Sequence, residues 1–366
     1  MHENFTLKLK ALKIEYNDEF WQSYLCDGAD LETECWRNEC DKCKCGRLFL
    51  ESMEQQDNRE PIVWKKWCKD KSSGRIHIEF VEGWKDQLLD EIGTDWQKFL
   101  EHVRVKRIQS DSFEKDKANP RVTVCHCDFA MAYSCSYQDE IQSALWSRAS
   151  VNLFTVALYQ RDLPCRSLLF ATNHNDKGKN AVLTFLRKVV EGLKHSDVGD
   201  CFILYTDGPS SEFKNKFTLK TIHEISQILQ CEVRWQYFAT SHGKGVVDGI
   251  GGAAKSAVRK RVLSKTGPVV QCASDFVREV RKDLPRVKVT EVTEEEISVN
   301  DSKWKDVDSV PGIKSVHCIS YNKGICKLYQ TNNDFISKGK EIGEVVFQDC
   351  LTDQTNLPME KAETGD

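Results

Sequence analysis

The sequence has no apolar run approaching the ~18 residues of a membrane span. Its opening, MHENFTLKLKALK, has no apolar signal-peptide core, so the expected setting is intracellular. It has no internal repeat and no long low-complexity stretch, which excludes solenoid arrays. It also lacks an excess of positive charge. The formal net charge is −4 over 366 residues. That balance speaks against a chain that is basic throughout and leaves nucleic-acid binding to local patches. No helix-turn-helix and no tandem zinc-finger pattern is present. Cysteine, by contrast, is plentiful, at sixteen residues. Without a secretory signal these are not expected to form a disulfide framework. Scattered ones read as small buried hydrophobes, and clustered ones as zinc ligands.

Texture divides the chain. Residues 1–117 form a Cys/Trp-rich module. It ends in two helix-like segments, GWKDQLLDEIG and DWQKFLEHVRVKRIQ, and then a charged linker, SDSFEKDKANP. Residues 118–267 alternate short β-forming runs with amphipathic stretches. RVTVCHCDF, VNLFTVALY and SLLFATN precede a helix in GKNAVLTFLRKVVEGLKH. DCFILYTDG, TLKTIHEISQILQ, CEVRWQYFAT and AAKSAVRKRVLSK follow. The expected order is β-β-β-α-β-α-β-α, a mixed five-stranded sheet with helices packed on it. Residues 268–350 read as a helical linker and a small β-rich module, and 351–366 as a disordered tail.

Three acids stand at the ends of these elements. Asp128 lies at or near the end of the first strand and Asp207 ends the fourth. Asp248 lies past the fifth, at the start of the last helix of this region. Gathered carboxylates repel one another unless a cation neutralises them, and hard oxygen ligands suit Mg²⁺ or Mn²⁺. TDGPSSEF (206–213) resembles the T-D-N-G-x-x-F segment around the second acid of retroviral integrases and related transposases. SHGKGVVDGIGGAAKSAV (241–258) resembles their Q-G-x-x-E segment, with an aspartate as third acid and a slightly longer spacing after the second.

The resemblance covers about residues 120–265. It implies a ribonuclease H-like fold and a DDE/D-type DNA transposase or nuclease of the nucleus. Asp128, Asp207 and Asp248 would hold two Mg²⁺ or Mn²⁺ ions, with DNA as partner, and the chain would act as a dimer or higher multimer. Lys244, Lys255, Arg259 and Lys260 would track the DNA backbone. The other reading is a catalytically inactive, transposon-derived DNA- or protein-binding factor.

Alternatives for the glycine-rich stretch fit less well. GIGGAA (249–254) matches a dinucleotide fingerprint formally, but SHGKGVVD separates it from its strand. GGAAKS has Ala254 where a Walker loop needs glycine. A proofreading-type exonuclease would need an acid where Ala130 stands. In CHC (125–127), strand alternation puts the two thiols on one face and His126 on the other, which favours core packing. In the N-terminal module, CWRNECDKCKCG offers Cys35, Cys40, Cys43 and Cys45 as a Zn²⁺ set, with Cys26 or Cys68 as replacements.

Overall fold

The computed structural model describes residues 2–15, 20, 22–26, 34–37, 39–43, 51, 60–135, 149–160, 163–193, 197–240, 242–243, 245–265, 269–304, 307–337 and 341–347. The chain divides into two compact units, 1–108 and 109–366. Among the described residues no helix is long and apolar enough to cross a membrane.

The first unit contains helix α1 (His2–Ala11) and the antiparallel pair β1 (Pro61–Lys69) and β2 (Ile76–Trp84). It also holds the first part of α2 (Lys85–Ala118), which crosses the boundary. Leu88, Ile92, Trp96, Phe99 and Val103 recur at helical spacing and form its core with Phe5, Leu9, Trp36 and Trp64. Phe5 stacks on Phe99 with ring centroids 4.2 Å apart.

The two helix-like segments and the charged linker expected here are one helix of 34 residues. The linker expectation fails because the helix's last turns bury polar groups, which hydrophobic periodicity does not register. Gln109, Ser112, Phe113 and Asp116 share one face. Gln109 Nε2 donates to Gln236 Oε1 at 3.1 Å and the Tyr205 hydroxyl donates to Asp116 at 2.7 Å.

In the second unit, β3 (Val122–Ser134), β4 (Ser150–Tyr159) and β5 (Arg166–Thr172) run antiparallel in sequence. Helix α3 (Lys179–Glu191), β6 (Cys201–Thr206), α4 (Phe217–Leu229), β7 (Glu232–Tyr237) and α5 (Val246–Leu263) follow, in the expected order. β6 pairs parallel to β3, and β7 parallel to β6. Both faces of this sheet are covered, so the strands are continuous apolar runs. Cys125, Cys127 and Phe129 face the core cluster containing Phe185 of α3 and Ile222 of α4. Leu153 and Ala157 face Val247, Ala254 and Val258 of α5.

The strands expected in a separate C-terminal module belong to the same sheet. Helix α6 (Ala273–Asp283) leads to β8 (Val287–Glu291), which extends the β5 edge in parallel. After α7 (Glu294–Ser298), β9 (Cys318–Asn322) joins β7 antiparallel. β10 (Ile325–Tyr329), α8 (Asn332–Ile336) and β11 (Glu341–Val346) follow. The order across the described sheet is β11-β10-β9-β7-β6-β3-β4-β5-β8. Residues 351–366, expected as a tail, lie outside the described residues.

Candidate functional site

Asp128 and Asp207 come from the parallel neighbours β3 and β6, Asp128 within the strand and Asp207 directly after its end. Burial raises the Asp128 pKa to about 7, with further upward contributions from Asp207, Glu212 and Asp248 and an opposing one from the Phe129 N–H. That N–H donates to Asp128 Oδ1 at 2.8 Å. Burial likewise raises Glu212, while Lys177 opposes the shift. Glu212 is half-buried beside the first two aspartates. Lys177, which no sequence pattern marks, lies near them. Its Nζ donates to the Ala130 carbonyl at 3.3 Å.

The third acid sits differently. Helix α5 starts at Val246, ahead of Asp248, despite the glycines that follow. Asp248 is exposed at the third helical position and accepts a hydrogen bond from Gly245 N at 2.9 Å. This carboxylate satisfies a free N–H of the first turn and opposes the helix dipole, which offsets the cost of Gly249, Gly251 and Gly252. Gly251 admits close approach to β3, since a Cβ there would lie 2.8 Å from the Ala130 Cβ. Gly249 and Gly252 face open space.

A side chain at residue 243 would displace the Asp207 carboxylate. A Cβ on Gly243 would lie 1.8 Å from Asp207 Oδ1. The buried His126 ring bonds the Gly243 carbonyl through Nε2 at 3.2 Å. A carbonyl only accepts, so Nε2 carries the proton. Burial pulls the His126 pKa down to about 4, against opposing effects of Gly243 and Asp248. Edge contacts from Phe113 and Phe238 hold the ring. His126 thus ties β3 to the loop lying between Asp207 and the start of α5.

If the hydrogen bond is what matters, His126→Gln keeps the loop ordered and His126→Phe frees it. Amide exchange over residues 238–248 should then quicken about tenfold in the Phe variant, from one lost buried hydrogen bond. If His126 serves only as an aromatic filler, the order of the two variants reverses.

A second expectation concerns pH. An acid whose folded pKa is raised holds its proton in the folded state after the unfolded state has released it. Its contribution to stability falls as pH rises from about 4 to about 7. His126 acts in the opposite sense, so the difference between Asp128→Asn and wild type isolates Asp128. That difference should grow in favour of the variant up to neutral pH, reaching about 1–2 kcal/mol after solvent screening. Chemical denaturation at pH 5 and pH 8 measures it.

Of the expected DNA-contacting residues, Lys255 and Arg259 line a groove of about 580 Å³ with Met131, Ala132, Tyr133, Ser134 and Ser256, none of the described lining residues being acidic. Lys255 Nζ donates to the Met131 carbonyl at 3.1 Å. Lys260 is exposed and is not among the lining residues. Lys244 lies outside the described residues.

The first unit holds a second candidate centre. The sulfurs of Cys26, Cys35, Cys40 and Cys43 all lie within 4.8 Å of one another, and those of Cys26 and Cys40 are 3.8 Å apart. Tetrahedral Zn–S bonds of ~2.3 Å imply sulfurs roughly 3.8 Å apart, so four thiolates on one Zn²⁺ fit this set. Backbone N–H groups of Cys43 and Lys42 lower the Cys40 pKa to about 7, while burial pushes the Cys43 thiol up. Cys26, held in reserve from sequence, completes the set, and Cys45 lies outside the described residues. Cys68 bonds Glu79, which raises its pKa. Among the described residues this is the one group of three or more such ligand atoms so close together. The three aspartates do not converge to that degree.

A family model described as a domain of unknown function, DUF8701, matches residues 109–328, well over half of the chain. The chain belongs to this family. No curated protein matches it. The DUF8701 region begins where α2 enters the second unit and ends within β10. It contains all three aspartates, His126 and Gly243. The four cysteines lie outside it.

Proposed function

We propose that the DUF8701 domain is a ribonuclease H-like, DDE/D-type nuclease or strand-transfer enzyme acting on DNA. The observation that carries this is the juxtaposition of Asp128, within β3, and Asp207, directly after the parallel neighbour β6, with the Asp207 charge adding to burial in disfavouring ionisation of Asp128. The strand order β7-β6-β3-β4-β5, with β4 alone reversed among the five, supports the fold reading. So does the placement of the third acid at the start of the helix after β7.

Asp128, Asp207 and Asp248 would hold divalent cations, Mg²⁺ or Mn²⁺. Their hard, mutually repelling oxygens fit such ions. Because the three do not gather within single-ion reach of one another, they suit a pair of ions rather than one. When bound, such a pair supplies activation of a water or 3′-hydroxyl and stabilisation of the leaving oxygen. The chain's own contributions are distinct. Burial keeps Asp128 poised between its two protonation states near neutral pH. The Gly243 backbone packs directly against Asp207. Lys255 and Arg259 line a groove beside α5 whose described lining includes no acid, which suits a phosphate backbone.

On this reading the protein works on nuclear DNA, as a dimer or higher multimer holding paired ends. The four-cysteine cluster is a structural zinc site of the first unit. A second reading, an inactive transposon-derived binding factor, is favoured by one observation: Asp248 already caps its own helix. Supercoiled plasmid incubated with the protein and Mn²⁺ separates the two. Nicking that EDTA abolishes supports the enzyme. DNA retention with no nicking at any Mn²⁺ concentration supports the binding factor.

A further inference from the structure

The β1–β2 pair carries an unusual outer face. Its register sets Pro61, Val63, Lys65, Trp67 and Lys69 opposite Trp84, Glu82, Phe80, Ile78 and Ile76 on one side. The apolar members of this face are open to solvent: Val63 by 52%, Trp67 by 39%, Ile76 by 69%, Ile78 by 40%, Phe80 by 63% and Trp84 by 50%. The opposite face is the one that carries Trp64, which is buried in the core of the first unit. A contiguous apolar patch on a two-stranded sheet marks an interaction surface.

Its chemistry is specific. Three aromatic rings are interleaved with Lys65 and Lys69, and Lys65 Nζ lies over the Phe80 ring, 4.8 Å from its centroid. Glu82 is the single acid on this face, at its base end. Beyond the strands the connection adds Lys71 and Arg75 and one acid, Asp70, whose carboxylate is engaged by Ser72 and Ser73. Flat rings spaced along strands, with cations beside them, match a strand of unpaired bases: each base offers a π-face and each nucleotide a phosphate. A duplex hides its base faces and cannot stack there. A purely hydrophobic protein partner would leave Lys65 and Lys69 unmatched.

We infer that the outer face of β1 and β2 binds single-stranded nucleic acid, with Trp67, Phe80 and Trp84 stacking on bases and Lys65 and Lys69 on phosphates. This is independent of the aspartates.

The test uses the full chain and a fluorescein-labelled oligo(dT) of twenty nucleotides, with duplex DNA and oligo(U) as comparisons. Oligo(dT) should bind more tightly than the duplex. Trp67→Ala and Phe80→Ala should each weaken binding about 5- to 100-fold, from the loss of one stacked base. Lys65→Ala with Lys69→Ala should flatten the dependence of log affinity on log salt by about 1.4. Circular dichroism and retained zinc content verify folding, and exposed Phe80→Ala serves where Trp67→Ala perturbs the sheet. Oligo(U) binding equal to oligo(dT) leaves the face a single-strand site that does not select the sugar. Three results overturn the proposal: no binding of oligo(dT) by wild type, unchanged affinity in both aromatic variants, or concentration-dependent dimerisation that Trp67→Ala abolishes. The last would make the face a contact between copies. Plasmid nicking without oligo(dT) binding removes this inference alone. Oligo(dT) binding without nicking removes the enzyme reading alone.

Discussion

Asp207→Asn is expected to lower Mn²⁺-dependent nicking by about 10³-fold or more, because losing one carboxylate costs several kcal/mol of metal-borne charge stabilisation. Asp128→Asn should do the same. Neither should unfold the protein. The two acids disfavour each other's ionisation, so neutralising one relieves repulsion in the metal-free state. The combination of lost activity and retained or raised melting temperature is the signature to look for. An ordinary structural aspartate gives the reverse, with stability falling and any activity falling only in step. Asp248→Asn should differ from both. It loses the full charge of the cap on Gly245 N, so a loss of helix stability of about 0.5–1 kcal/mol accompanies the loss of activity.

The second large effect lies in the first unit. Protein purified without chelator should carry one Zn²⁺. Cys26→Ser, Cys35→Ser, Cys40→Ser and Cys43→Ser should each lose it, with the melting transition of residues 1–108 falling by more than about 10 °C. Cys45→Ser and Cys68→Ser should keep it. The size of the effect reflects how the site is built. Its residues lie in short 3-10 turns and loops with little regular structure, and Cys35 and Cys43 are part of the aromatic core. Removing the ion would leave those loops without the bonds that tie them to that core. Metal content by mass spectrometry together with calorimetry of each variant checks the assignment. Zinc retained in all four variants would refute it.

The alternation of strands and helices from β3 to α5 was legible because both faces of that sheet are buried. Each strand is then an apolar run, and each helix between them is amphipathic. Asp207 directly follows its strand and Asp248 stands in the first turn of its helix, as expected, but Asp128, expected at or near the end of the first strand, stands in the middle of β3, which runs on to Ser134.

What escaped depends on contacts distant in sequence. β8 and β9 look like any short strand locally. Only pairing with β5 and β7 makes them edges of one sheet. The last turns of α2 were hidden because their buried face is Gln109, Ser112 and Asp116, polar groups satisfied by partners 89 to 223 residues away. Gly243 and Gly249 look alike in the sequence. One lies against a carboxylate and the other faces open space. His126 read as core filler from strand alternation. It is buried as expected, but the Gly243 carbonyl it bonds is 117 residues away. Lys177 had no signal at all, since a loop lysine is ordinary until Glu212 is beside it.

The central claim is that Asp128 and Asp207 share a divalent cation. Crystals of the full chain grown at neutral pH and soaked in Mn²⁺ test it through the anomalous signal of manganese. A peak is expected between the carboxylates of Asp128 and Asp207, within about 2.1–2.4 Å of an oxygen of each, absent from Asp207→Asn crystals. Saturating Mn²⁺ with no peak at these two side chains, or with the ion elsewhere on the chain, would contradict it.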